Sequence, residues 1–275
     1  MTKVAVADLP ARVIIPGRLA IGAAVLWGVM IARGERLPPL SDRASWLAII
    51  GLGTIGTAAP FYLITFGQKT IDSSLAALLI SAAPLFTATL AHIHFKDEQL
   101  TGYKIVGLIV GFAGVALLIG PDSLKGFENS SLIAQLLVLG GAFCYSVNSI
   151  IARQAPRLPP VVLPAAFLTV AAISSVPMLL LTDWAEVTMS TPAVLSVISL
   201  GAISTGLAGV ILMYLVARTS ATFIALTGYV IPVMTAVLGY FLFGEMQGPL
   251  ALAAFVLILS GVWFSQRQSR RRRSS

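Results

Sequence analysis

The chain has 275 residues, of which 57% are hydrophobic and only 11% charged, and carries a net charge of +7. Soluble domains hold about 25% charged residues, so a mean hydropathy of +0.92 excludes a chain that could cover itself with a water-facing surface. The single Cys144 excludes an intrachain disulfide and a multi-cysteine metal site.

Apolar runs of about 20 residues, the length that crosses a hydrocarbon core of roughly 30 Å, recur from end to end. Taken in order they predict nine helical spans: 11–32, 46–67, 73–94, 100–120, 131–152, 161–181, 193–216, 220–243 and 249–266. The short alternating segments of a transmembrane barrel do not occur. Residues 1–8 lack the apolar stretch of a cleavable signal peptide. The connections are too short to hold a soluble domain.

Basic residues mark alternate loops. Arg33, Arg36 and Arg43 lie in the first, Lys96 and Lys104 flank the third, and Arg153 and Arg157 follow the fifth span. Arg218 lies in the seventh loop, and Arg267 and Arg270 to Arg273 follow the last span, so alternate segments hold 13 of the 18 basic residues. The opposite loops carry Lys69 and Lys125 among Asp72, Asp122, Glu128, Asp183, Glu186 and Glu245. By the positive-inside rule the C-terminus is expected in the cytoplasm. The arginine tail at 267–275 then reads as an anchor near anionic lipid, not as a nucleic-acid contact, because no base-stacking or groove-reading element accompanies it.

The chain also repeats itself. Pro84 recurs as Pro232, Thr87-Ala88 as Thr235-Ala236, Leu90 as Leu238 and Phe95 as Phe243, all 148 residues apart. Ile50, Leu52, Gly53, Ile55 and Thr57 match Ile198, Leu200, Gly201, Ile203 and Thr205 at the same offset; past the elbow the offset falls to 147, pairing Glu98 with Glu245 and Gly114-Val115 with Gly261-Val262. A fixed offset with matched prolines, threonines and glycines indicates an internal duplication. Pro16 falls on Pro164, and five crossings separate their spans. An odd number of crossings makes the repeats inverted, the architecture of many secondary transporters. The span at 131–152 has its counterpart before residue 1, so a further upstream helix is expected.

Ala83-Pro84, Asp97-Glu98 and Gly114-Val115, repeated as Ile231-Pro232, Gly244-Glu245 and Gly261-Val262, resemble the EamA type of the drug/metabolite transporter superfamily. Pro16-Gly17-Arg18 followed by an Ala-rich run resembles that family's second helix. The resemblance covers nearly the whole chain. It implies an all-α polytopic membrane protein of two inverted five-helix repeats, ten helices in all, of which four and five are present here. The repeats would be residues 1–120 and 131–266. It further implies a secondary transporter that moves amino-acid-like or drug-like solutes outward across a bacterial cytoplasmic membrane by alternating access, without a cofactor, whose partners are its solute, membrane lipid and, as an allowed state, a second copy in a homodimer. The alternatives are a non-transporting membrane scaffold or truncated relic and, further off, an intramembrane enzyme.

Several residues are candidates for a solute site. Pro84 and Pro232 each remove a backbone donor, and symmetric kinks would serve as hinges, expose carbonyls or simply aid packing. Trp27, Tyr62, Tyr145, Asn148, Tyr214 and Tyr229 are polar or amphipathic groups in apolar spans. They can line a cavity, bond between helices or anchor at the interface. Ser81 stands at the repeat position of Tyr229, so the halves would present unlike groups. Arg18 is the charged residue placed well inside a span, roughly 10 Å along its helix at 1.5 Å per residue. It reads either as an outer-leaflet anchor whose side chain snorkels or as a cavity group that holds a carboxylate.

Other features read as structural. Gly107, Gly111 and Gly114 form a small-residue stripe. Asp97, Glu98 and Glu245 lie at helix ends and are expected to be interfacial caps, with proton carriers the alternative. His92 and His94 read as interfacial histidines because they lack the i, i+4 spacing of a helical metal pair. No HExxH, GxSxG or GxxxxGK[ST] pattern is present, so neither a catalytic residue nor a metal ligand is expected.

Overall fold

A computed structural model describes residues 8–120, 131–184, 187, 189–243 and 249–271, without the side chains of residues 73, 232, 235–243, 249 and 267–271. The described chain is helical. Helix α1 is Ala11–Ala32; α2 is Arg43–Gly53, continued through a π-helical turn at Thr54–Ala58 into α3, Ala59–Gly67. A break separates α4, Ser73–Ile80, from α5, Ala83–His94; then come α6, Gly102–Ile119, α7, Leu132–Gln154, and α8, Val162–Leu180. Helix α9, Thr191–Ser199, passes through a second π-helical segment, Leu200–Leu207, into α10, Ala208–Val216. The last two are α11, Ala221–Phe243, and α12, Pro249–Arg271. These segments coincide within a few residues with the nine spans read from the sequence. Seven of the spans are long and apolar enough to cross a membrane over the described residues.

The ends have local causes. Asp42 caps α2 by accepting the Ser45 backbone N–H at 3.2 Å and its hydroxyl at 2.6 Å. Thr101 caps α6 through Lys104 N–H, and Ser190 caps α9 through Ala193 N–H. Gly34 and Gly120 follow α1 and α6 with φ of +65° and +93°, a region that glycine enters without a Cβ penalty. Pro84 is found in the first turn of α5, where its missing N–H has no helical partner to lose. Pro232 lies in the unbroken backbone of α11, and its side chain is outside the described residues. The two matched prolines therefore do different things to the backbone: one starts a helix after a break, the other is carried within one.

The chain forms two compact units, which cut across the sequence repeats. The first consists of Met1–Phe61 and Ile151–Arg218, the second of Tyr62–Ile150 and Thr219–Ser275. Within the first unit α1 packs on α8, its repeat equivalent. Arg12 bonds the Leu181 carbonyl at one end and Trp27 bonds Thr169 further along, so the two helices run antiparallel. Gly201 lies where a Cβ would be 2.7 Å from Ile21 Cβ and 2.9 Å from the Arg18 carbonyl; Gly53 lies where one would be 2.6 Å from Val170 Cβ and 2.7 Å from the Phe167 carbonyl. Each glycine, 148 residues from the other, thus brings its segment onto the backbone of a helix from the opposite repeat.

In the second unit α6 and α12, again repeat equivalents, cross closely and antiparallel. A Cβ on Gly107 would lie 2.4 Å from Ser265 N, and one on Gly261 would lie 2.5 Å from Gly111 N. Without a hydrophobic drive between helices in lipid, close packing of this kind holds spans together. Ala88, Leu108, Val115, Leu226, Tyr229, Val233 and Ile258 form the core of this unit.

Candidate functional site

The first unit carries two π-helical segments, and the candidate site lies at the second, Leu200–Leu207, where Arg18 of α1 meets it. A π-turn inserts one residue into the α-helical ladder and widens its hydrogen-bonded ring to i→i+5; such turns are frequent at functional sites. Here Thr57 Oγ1 donates to the Leu52 carbonyl at 2.8 Å, and Thr205 Oγ1 donates to the Leu200 carbonyl at 3.1 Å. Both hydroxyls reach back five residues, onto carbonyls displaced from the ordinary four-residue ladder. Thr57 and Leu52 are each 148 residues from Thr205 and Leu200, so both repeats carry the same device at the same place.

The two devices differ in what approaches them. Arg18, half-buried on α1, donates from Nε to Thr205 Oγ1 at 3.1 Å. Its guanidinium carbon lies 5.7 Å from the centroid of the Phe61 ring, within the range of a cation–π contact. Among the described residues, Thr57 Oγ1 has its bond to Leu52 and no charged group on it. The result is a cation held within an apolar span between a hydroxyl and an aromatic face, in one half of an otherwise repeated arrangement.

The remaining candidates divide between the units. Trp27 belongs with Arg18 on α1, but its Nε1–H is committed to Thr169 Oγ1 at 2.9 Å, which in turn donates to the Ala165 carbonyl; this is an interhelical bond. Tyr214 is 51% exposed, and Arg218 lies over its ring at 3.4 Å. That pair sits on the outer surface near the end of α10.

Tyr62, Ser81, Pro84, Tyr145, Asn148, Tyr229 and Pro232 belong to the second unit. Tyr62 stacks on Phe66 at 6.5 Å. Ser81 donates to the Leu78 carbonyl at 2.6 Å, at the break before α5. Pro84 is buried, and the neighbouring Ala83 carbonyl accepts Ser146 Oγ of α7 at 2.9 Å. Tyr145 and Asn148 are half-buried on α7. Tyr229 is fully buried, with its hydroxyl 3.4 Å from the Leu108 carbonyl and its ring where a Cβ on Gly111 would stand. It packs the unit's interior and lines no accessible space there.

Sequence reasoning singled out Arg18 and missed Thr205. The signal is present, because Thr57 and Thr205 match in the duplication, but a matched threonine by itself marks only the register. Glu98 caps a helix end as expected, though the helix is α11 and not one adjacent to it in sequence. Its carboxylate accepts the N–H groups of Ala221 and Thr222 at 2.7 and 3.0 Å. Its repeat equivalent Glu245 is outside the described residues. Among the described residues no three His, Cys, Asp or Glu side chains gather to hold a metal ion.

The EamA-like transporter family matches residues 1–120 and 132–266 of this chain. The chain is 29% identical to "Uncharacterized transporter YdfC" of Bacillus subtilis, over 90% of its own length and 79% of the relative's. It is 26% identical to the "Probable terminal-alkyne amino-acid exporter" of Streptantibioticus cattleyicolor, over 94% and 85% of the two chains. It is 24% identical to "Uncharacterized inner membrane transporter YedA" of Escherichia coli, over 94% and 83%. One crystal structure superposes on 98% of this chain and 92% of its own with a TM-score of 0.81 at 21% identity, a likeness of fold.

Proposed function

The chain belongs to the EamA-like transporter family, and from that premise we propose that it is a secondary transporter that exports a small organic solute bearing an anionic group. The protein is a multi-pass membrane protein of the transporter type. The finer reading is an amino-acid-like solute, moved outward across a bacterial cytoplasmic membrane by alternating access between inverted repeats, with the C-terminus in the cytoplasm. The basic loops support the orientation, and the antiparallel packing of equivalent helices supports the inversion. The name of the Streptantibioticus cattleyicolor relative, an amino-acid exporter, supports the solute class and direction.

One observation carries the reading. Arg18 stands within an apolar span, half-buried and held by Thr205 and Phe61. An arginine this far inside a span carries part of the cost that reaches about 2.5–3.5 kcal/mol at the centre on insertion scales, a cost that a simple anchor at the helix end would avoid. Its planar fork matches a carboxylate in two parallel bonds and stays charged at any physiological pH. The experiment is an untargeted metabolite comparison between deletion and overexpression cells. A carboxylate-bearing metabolite should accumulate in the deletion strain and in the medium of the overexpressing strain. A solute with no anionic group, or no difference at all, overturns the assignment.

A further inference from the structure

The two π-helical threonines are equivalent in the duplication but not in their surroundings, and that difference assigns them different tasks. Both Thr57 and Thr205 close a carbonyl five residues back. Thr205 alone of the two also accepts a hydrogen bond from Arg18 Nε. Its hydroxyl has one proton, and that proton is directed at Leu200 O. The lone pairs of Oγ1 are therefore oriented by the π-turn, and Nε–H of Arg18 is drawn to them. The close approach of the helices makes this contact possible: a Cβ on Gly22 would lie 3.0 Å from the Gly201 carbonyl and 3.1 Å from Thr205 Cγ2. The hydroxyl thus fixes the arginine at Nε, the nitrogen nearest its stem, while Phe61 lies by the guanidinium carbon.

We infer that Thr205 is a positioning residue that aims the Arg18 guanidinium at the anionic group of the solute, whereas Thr57 only completes its own helix. This rests on the reading of Arg18 as the anion-binding group. It goes beyond that reading by placing the anion's end of the site at the Leu200–Leu207 segment. It also makes the second repeat's π-turn a determinant of solute selectivity. A solute whose carboxylate is replaced by an amide lacks the negative charge that Arg18 pairs with, and loosening Thr205 lowers the preference for the carboxylate before it abolishes binding.

The test needs no knowledge of the natural solute. The purified full chain, labelled with ¹⁵N-arginine in detergent, gives an Nε–H signal that is assigned to Arg18 by its loss in Arg18→Lys. Sodium propionate is titrated as the carboxylate probe, with propionamide as its neutral match. In the wild type the Arg18 signal should be protected from solvent exchange and should move with propionate but not with propionamide. In Thr205→Val the protection should be lost and the apparent Kd for propionate should rise about tenfold, the size of one hydrogen bond to a charged group. Thr205→Ser, which keeps the hydroxyl, should restore both. Thr57→Val, which removes the equivalent helix-closing bond from a hydroxyl that does not take the Arg18 Nε–H, should leave both unchanged.

Equal behaviour of Thr205→Val and the wild type overturns the positioning role and leaves the anion reading of Arg18 standing. Equal weakening in Thr57→Val and Thr205→Val also overturns it, since the hydroxyls would then act only through helix packing. If Thr205→Val does not fold, Thr205→Ser still decides: a serine that fails to retain the protected Nε–H and the propionate response overturns the proposal. A wild-type signal indifferent to propionate defeats the anion reading itself and this inference with it.

Discussion

The carboxylate of Glu98 accepts the hydroxyl of Thr222 at 2.5 Å as well as its backbone N–H at 3.0 Å, across 124 residues of sequence. The other oxygen takes the N–H of Ala221 at 2.7 Å. Glu98 is 1% exposed, and Lys104 Nζ lies 4.0 Å away. The elbow between α5 and α6 thereby closes the first turn of α11, where unpaired N–H groups and the helix dipole both favour a negative charge. This is how the acidic elbow works as a structural part, and why a charge is tolerated in so apolar a chain.

Removing that carboxylate leaves three donors facing a cavity. Glu98→Ala should therefore destabilise the folded protein by about 3 kcal/mol, in line with buried hydrogen bonds to a charged group. Glu98→Gln keeps an acceptor and should cost less. Thermal unfolding of the detergent-solubilised protein ranks the two. A Glu98→Ala variant as stable as the wild type would mean that the cap contributes nothing.

The crossing of α6 and α12 gives a second prediction. Gly261→Ala sets a Cβ 2.5 Å from the backbone nitrogen of Gly111, so the helices must part. Overpacking of this kind typically costs about 1–3 kcal/mol. Gly28→Ala, whose Cβ would meet nothing within 4 Å, should be neutral or slightly stabilising through helix propensity. The comparison is read in the unfolding midpoints of the two variants, and equal midpoints would refute the close crossing.

The cap of α2 should titrate. Hydrogen bonds from the Ser45 hydroxyl and N–H, to which Ala44 N–H adds, hold the Asp42 carboxyl below its ordinary pKa. A carboxyl whose folded pKa is depressed stabilises the fold above its unfolded value and loses that contribution as pH falls through the folded one. Amide exchange at Ser45 should accordingly be protected at pH 6 and lose protection below about pH 3.9, the usual aspartate value. In Asp42→Asn the protection should no longer change across that window.

Much of the architecture could be read from the sequence because a membrane permits few solutions. Long apolar runs, basic loops and the 148-residue offset give the spans, their expected orientation and the duplication. What could not be read is which side of each helix faces its neighbours. In a soluble helix polarity marks the outer face, but in a span the lipid-facing and core-facing sides are both apolar. Tyr214 and Tyr229 show the consequence, since both are candidates by sequence and one is half exposed while the other is fully buried. Trp27 likewise needed Thr169, 142 residues away, to become an interhelical donor. Pro84 and Pro232 are matched letters in unmatched backbone settings, because helix continuity depends on the residues around a proline as well as on the proline.

Arg18 was legible because a charge inside a span stands out against its surroundings. Thr205 was not, since a threonine in a membrane helix ordinarily bonds its own backbone and only the π-turn with Arg18 beside it gives the hydroxyl a second task.

Arg18 is proposed to hold the solute's anionic group during export. The direct measurement is counterflow in vesicles reconstituted with the full chain, using the carboxylate metabolite that the deletion and overexpression comparison identifies. Arg18→Leu should lower the flux at least about tenfold, and Arg18→Lys should fall with it because a point charge cannot replace the fork. Arg12→Leu, which removes the arginine that bonds the Leu181 carbonyl at the start of α1, should transport near normally. Near-normal flux for Arg18→Leu, with the protein inserted and folded, would contradict the claim.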